Sequence, residues 1–188
     1  MLKLQQTGKI RAFGISVSDH RPGEANGVIT ARRVDIIEAP YSILDQRAAE
    51  HLFPIAQEYG ISIIARTPLA SGALAGNWYQ GMKFHRNDWR RRVFRGELFQ
   101  QTLERITRLK SLFDPTAHLA QIALRFCLSQ PAVTAVIPGV RSPEQATYNL
   151  SALEQGPLPH EVIDEITRLW YEEFQYNVRT SIGEEGEG

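Results

Sequence analysis

The chain has 188 residues, of which 43% are hydrophobic and 22% are charged, and its formal net charge is zero. Such a composition is typical of one soluble globular domain, and the neutral balance removes the general electrostatic argument for a nucleic acid partner. Cys127 is the single cysteine, which excludes an internal disulfide and a cysteine-based zinc site. The opening MLKLQQTGKI is too polar for a signal peptide, and no apolar run approaches the roughly 18 residues of a membrane helix. We therefore expect a cytoplasmic protein with no membrane partner.

Short apolar segments alternate with amphipathic helical segments along the chain. The strands are predicted over 10–16, 34–40, 61–66 and 132–137, and the helices over about 22–32, 45–59, 97–113, 116–129, 142–154 and 160–175. Asp45 is expected to cap the second helix, Pro54 to kink it and Gly60 to end it. Because parallel strands need a crossover, which the helices supply, the alternation predicts an α/β fold of parallel (β/α) repeats. Four strands fit either a small open doubly wound sheet or half of a (β/α)₈ barrel, since a complete barrel needs roughly 250 residues.

The stretch AVIPGVRSPEQATYNL, at 135–150, combines the last strand with a strong helix start. Ser142 is predicted as the N-cap, with proline at the first helical position and Gln145 completing a capping box. A helix N-terminus presents free N–H groups and a partial positive charge, and Arg141 lies immediately beside it. The simplest ligand for this arrangement is a phosphate. The alternative for an isolated segment is a well-capped connection with a solvated arginine.

Four motifs lie at or near the carboxyl ends of the strands, where α/β barrels place their functional residues. They are GKIRAFGIS, VDIIEAPYSILDQ, ARTPLASGALAG and IPGVRSPEQATYNL. Their order and spacing resemble the aldo-keto reductase superfamily, and the match covers essentially the whole chain. The resemblance implies the C-terminal half of a TIM-type barrel, strands five to eight, with extra C-terminal helices. It also implies an NADP-dependent oxidoreductase that moves a hydride between nicotinamide and a carbonyl or alcohol.

The resemblance further implies a cofactor site that runs from the nicotinamide through the pyrophosphate to the adenosine. Ser16 is expected at the carboxamide, and Arg66 beside the nicotinamide where many members have an aromatic residue. Arg141 is expected on the 2′-phosphate. Two positions depart from the family pattern, because Val17 cannot hydrogen-bond and Glu38, where glutamine is usual, accepts but cannot donate. The implied cofactor-binding residues are Ser16, Glu38, Arg66, Thr67, Leu69, Ser71, Gly139, Arg141, Gln145 and Asn149.

The family's catalytic residues come from the first four barrel strands, which have no counterpart in this sequence. They are a tyrosine acid, a lysine, an aspartate, and a histidine or glutamate. No lysine here lies at a predicted strand end, so no catalytic residue is predicted, and the scattered histidines predict no metal site. We expect 1–176 to be a partial, NADP-binding barrel and 177–188 to be a disordered acidic tail. The opening of the chain looks like a barrel helix running into strand five, so its start is expected to fall within the fold.

A half-barrel leaves two parallel edge strands and an apolar inner face without cover. The expected partners, besides NADP(H), are therefore a separate N-terminal half or a second copy of the chain, without which the chain should be inactive. Two alternatives remain open: a noncatalytic nucleotide-binding or protein-interaction module, and a nonfunctional truncated gene product. The stretch 85–95 interleaves cations and aromatics as single-strand binders do. A solvated loop is favoured there, or one whose arginines reach cofactor phosphates, and no nucleic acid partner is expected.

Overall fold

The computed structural model describes residues 1–18 and 21–175, and the predicted tail at 177–188 lies outside them. Within these residues the centre of the fold is a four-stranded parallel sheet with the order β1-β2-β3-β4. All four predicted strands are confirmed, each inside its predicted bounds. A doubly wound sheet needs a reversal of strand order, which this sheet lacks, so the order is that of a (β/α) barrel. The strands are β1 (Gly14–Ser16), β2 (Ile36–Pro40), β3 (Ser62–Arg66) and β4 (Val133–Ile137).

Helices connect the strands and follow β4, as the alternation predicts. The segment at 22–32, predicted as one helix, consists of a 3₁₀ turn (Pro22–Ala25) and a single short α-helix. None of the helices in the described residues has both the length and the apolar character to cross a membrane. The helices are α1 (Leu2–Gln6), α2 (Asn26–Thr30), α3 (Arg47–His51), α4 (Phe53–Tyr59), α5 (Arg90–Val93), α6 (Gly96–Lys110), α7 (Leu119–Leu128), α8 (Pro143–Glu154) and α9 (His160–Leu169), which continues into a π-turn (Trp170–Phe174).

The helix predicted over 45–59 is interrupted at Leu52, which separates α3 from α4. Pro54 lies in the first turn of α4, where its missing N–H costs no hydrogen bond. Gly60 ends α4 with a φ of 69°, so the predicted kink and stop are both confirmed. The prediction that Asp45 is the N-cap is wrong, because the helix begins at Arg47. The Asp45 carboxylate instead pairs with the Arg47 guanidinium at 2.6 Å.

The two faces of the sheet have different surroundings. On the face that packs against helices, Ile37, Ala39, Ile63 and Ala65 are all 0% exposed. The alternate residues of β2 and β3 point to the other face and stay partly exposed, and on β4 Ile137 is 47% exposed. Within the described residues, β1 and β4 each have an edge with no strand beside it. The core is therefore built on one side of the sheet only.

Candidate functional site

A cleft with a volume of about 700 Å³ opens at the carboxyl ends of β3 and β4. Its walls are the turn after β3, part of the long loop that precedes α6, and the N-terminal turns of α8. This volume lies within the usual range for small-molecule and cofactor sites. Eight of the ten residues predicted for the cofactor site line the cleft, and Ser16 and Glu38 are not in its lining. The eight are Arg66, Thr67, Leu69, Ser71, Gly139, Arg141, Gln145 and Asn149.

The turn after β3 has an unusual backbone. Thr67, Ala70 and Ser71 have φ angles of 53°, 46° and 58°, a region that residues with a side chain rarely adopt. The Leu69 carbonyl accepts from the Gly72 N–H at 2.9 Å, which tightens the turn. Such a backbone costs on the order of 1–3 kcal/mol per residue and is concentrated at functional sites. The strained turn lies directly in the wall of the cleft.

Three predicted residues from neighbouring strands form one polar network beside the cleft. Glu38 Oε1 lies 2.9 Å from Arg66 Nε and accepts from the Ser16 hydroxyl at 3.4 Å. Arg66 Nη2 also donates to the Val17 carbonyl at 2.8 Å. The parallel register explains the contacts, because Ser16 is paired with Glu38 and Pro40 with Arg66. Ser16 and Glu38 are thus connected to the cleft indirectly, because Ser16 bonds to Glu38 and Glu38 pairs with Arg66, which lines it.

The N-terminus of α8 forms the capping box expected from the sequence, with one difference. The Ser142 hydroxyl accepts from the Gln145 N–H at 3.2 Å. The Gln145 side-chain oxygen returns to the Arg141 N–H at 2.9 Å, rather than to the N–H of Ser142. A hydrogen bond from Ser142 also lowers the pKa of Glu144. The Gln145 oxygen is therefore occupied within the protein, and its NH₂ group is what remains for a ligand.

The Arg141 guanidinium is the most available cation in the cleft. Among the described residues its side chain has no hydrogen bond or ion pair, and it is exposed. The pKa of Asp88, the partner of Arg90, is lowered to about 2, chiefly by its hydrogen bond with Arg90 and least by the charge of Arg141. An arginine without a carboxylate partner suits a phosphate, because its planar fork gives paired, charge-assisted hydrogen bonds.

The Aldo/keto reductase family model matches residues 1–171. The chain belongs to the aldo/keto reductase family. An aldo-keto reductase of Pseudocercospora fijiensis is 32% identical over 154 residues, which are 74% of this chain and 51% of that protein. The NADH-specific methylglyoxal reductase of Escherichia coli is 28% identical over 156 residues, 80% of this chain and 46% of that protein.

A solved aldo-keto reductase from Bacillus halodurans, in its holo form, has the same fold with a TM-score of 0.70 and 28% sequence identity. The match covers 89% of this chain and 53% of that one. This aldo/keto reductase chain therefore spans about half the length of the relatives that it matches.

Several residues that line the cleft of this aldo/keto reductase chain were not predicted from its sequence. They include Trp89, which is 51% exposed, and Arg90. Both lie in the stretch 85–95. Trp89 is exposed, as expected for a solvated loop, whereas the Arg90 side chain is only 14% exposed. The alternative that arginines of this loop reach cofactor phosphates stays a prediction. Tyr148 also lines the cleft, and its spacing of three residues from Gln145 on α8 was a signal that sequence reasoning could have used.

Proposed function

We propose that this chain is the cofactor-binding half of an NADP-dependent aldo-keto reductase. In this proposal NADP(H) lies in the cleft, and a second half of the barrel supplies the catalytic acid for hydride transfer to or from a carbonyl or alcohol. The observation that carries the proposal is the convergence of eight predicted cofactor residues in one cleft around the Arg141 guanidinium. A cytoplasmic location and a single partial barrel over 1–176 belong to the same proposal.

The residues of the cleft fit a nicotinamide dinucleotide. Arg141 would hold the 2′-phosphate, and Thr67 and Ser71 offer hydroxyl donors to the pyrophosphate. Arg66, fixed by Glu38, would border the nicotinamide. A bound cofactor would donate or accept the hydride, while this chain's residues would bind and orient it and pair with its charged groups.

Gly139 supports this fit, because a Cβ at this position would meet nothing within 4 Å. Glycine is therefore not required there by the protein's own packing, although the residue lines the cleft. The space beside it is open for a ligand that approaches the backbone closely.

Gly139→Ala is therefore expected to leave the unfolding temperature of the free chain almost unchanged, within the about 0.5 kcal/mol of a surface substitution. The same variant is expected to weaken NADPH binding, because the added methyl group occupies space used by the cofactor. Thermal unfolding of the free variant and calorimetric titration with NADPH measure the two effects. A variant that binds NADPH as tightly as the parent chain would contradict the placement of the cofactor.

Arg141→Gln tests the proposed function directly. Because a hydrogen bond to a charged group is worth about 1.5–3 kcal/mol, NADPH affinity should fall by roughly ten- to a hundredfold. NADH lacks the 2′-phosphate, so its affinity should change far less. Calorimetric titration of both cofactors measures the difference, and Arg92→Gln, an exposed arginine outside the cleft, is the matched control.

Two results of this titration would count against the proposal. An equal loss for NADPH and NADH would remove Arg141 from the 2′-phosphate. A parent chain that prefers NADH, as the name of its Escherichia coli relative indicates for that enzyme, would replace NADP by NAD as the cofactor.

A further inference from the structure

Arg90 is held from three sides, and one of its contacts reaches the strained turn after β3. Its Nε and Nη2 donate to the Asp88 carboxylate at 3.0 and 2.6 Å. Its guanidinium carbon lies 4.9 Å from the centre of the Phe84 ring. The remaining nitrogen, Nη1, donates to the Ser71 carbonyl at 3.2 Å. The side chains of Arg90 and Asp88 are only 14% and 18% exposed, so little water competes for these contacts.

The contacted turn needs support from outside itself. Ala70 and Ser71 have positive φ angles, and Gly72 follows with a φ of 94°. A Cβ added at Gly72 would lie 3.0 Å from Arg90 Nη1, so the guanidinium sits directly against the backbone here. Residues in such a conformation persist only where their surroundings hold them. Arg90 is a side chain from a distant part of the chain that does so.

The loop that carries Arg90 is itself anchored in the core. Trp78 packs against Phe84 and Phe94 with ring centres 5.1 and 4.8 Å apart, and against Phe99 of α6 at 5.8 Å. Trp78 and Phe99 are buried. The aromatic cluster therefore fixes the position of the loop, and with it the position of Arg90 relative to the turn.

The charge of Arg90 is already neutralised. Its hydrogen bond is the main reason why the pKa of Asp88 lies at about 2, so the carboxylate stays ionised at neutral pH and forms a neutral pair with the arginine. A neutral pair adds little attraction for a phosphate. The contribution of Arg90 must then come from geometry.

We propose that Arg90 is a positioning residue, which holds the turn at 69–72 in the shape that the cofactor's pyrophosphate requires. The role of Arg90 in fixing the turn does not depend on any cofactor, whereas its effect on cofactor affinity rests on the proposed function. Arg141 acts differently, because it contacts the ligand as a charge, whereas Arg90 acts through the Ser71 backbone.

Hydrogen–deuterium exchange of the ligand-free chain tests the hold on the turn without any cofactor. Arg90→Gln should speed the exchange of peptides that cover 69–76 by about tenfold or more, because the turn opens locally more often. Arg91→Gln, an exposed neighbour on the same short helix, is the matched control and should leave these peptides unchanged. Equal exchange in the two variants would overturn the proposal.

Binding of two ligands tests the consequence for the cofactor. Arg90→Gln should weaken NADPH by about tenfold and leave adenosine 2′-monophosphate, which lacks the pyrophosphate, unchanged. Arg141→Gln should weaken both. If Arg90→Gln weakens both ligands equally, Arg90 acts as a charge at the adenosine end and its positioning role is wrong.

Two further outcomes remain decisive. If the parent chain binds neither NADPH nor NADH, the proposed function fails, and the exchange experiment still decides whether Arg90 holds the turn. If circular dichroism shows that Arg90→Gln is unfolded, Asp88→Asn takes its place. That variant keeps the arginine but removes the carboxylate that pairs with it. It should give the same faster exchange of the turn peptides if the proposal is right.

Discussion

Replacing Trp170 by alanine is expected to lower the free energy of unfolding by about 3–5 kcal/mol, because it empties a large site in the core. Trp170 is 0% exposed, and its indole N–H donates to the Glu50 carboxylate at 2.7 Å. The substitution therefore creates a cavity and also removes one of the hydrogen bonds to the Glu50 carboxylate, which keeps those from the Gln175 amide. Urea unfolding of the two chains, followed by circular dichroism, measures the loss.

The neighbouring residue provides a matched control for this prediction. Tyr171 is 53% exposed, and Tyr171→Ala should cost less than about 1 kcal/mol. Trp170→Phe keeps most of the buried ring and loses the hydrogen bond, so it should fall between the two and remain measurable if Trp170→Ala does not fold. Equal losses for Trp170→Ala and Tyr171→Ala would show that the C-terminal segment does not close the core.

Local signals explain why the strands and most of the helices were predictable. The apolar, β-branched run at 61–66 follows a helix that Gly60 ends, and both signals lie within a few residues of one another. The helix predicted over 22–32 shrinks to a 3₁₀ turn that contains Gly23 and a five-residue α-helix that begins with Asn26 and Gly27. All three residues have low helix propensity, which the pattern of apolar residues does not reveal. Periodicity locates an element, whereas propensity decides how much of it is regular.

Some features of the candidate site depend on neighbouring residues in the sequence and could be predicted, whereas others depend on contacts between distant segments and could not. The sequence predicts a phosphate beside Arg141, since the strand end, the turn and the capping box lie in one continuous stretch, and the family resemblance adds Gly139 from the same stretch. The pairing of Glu38 with Arg66 depends on the register of two strands, so the sequence alone places Glu38 in the site and cannot show that its carboxylate is engaged. Arg90 and its contact with Ser71 depend on an aromatic cluster that folds the long loop back, and no short-range pattern encodes that contact.

The open side of the sheet is the structural reason to expect a second half. Glu38 and Arg66 point away from the helices, together with the partly exposed Ile137. In the described residues β1 and β4 are parallel edges at opposite ends of the sheet. Closing a parallel barrel requires a partner that pairs with both edges and covers this face.

Mixing this chain with a separately produced first half of a family member is expected to create NADPH oxidation with a simple aldehyde, which neither piece shows alone. The segment of the Bacillus halodurans reductase that this chain does not match is a suitable partner. Its strands would pair with β1 and β4, and the catalytic tyrosine that the family resemblance implies for this half would face the nicotinamide held in the cleft. The same partner with that tyrosine changed to phenylalanine is the control, and it should assemble without turnover. A chain that binds NADPH and forms no active complex would instead favour a noncatalytic nucleotide-binding module, and a chain that does neither would favour a nonfunctional product.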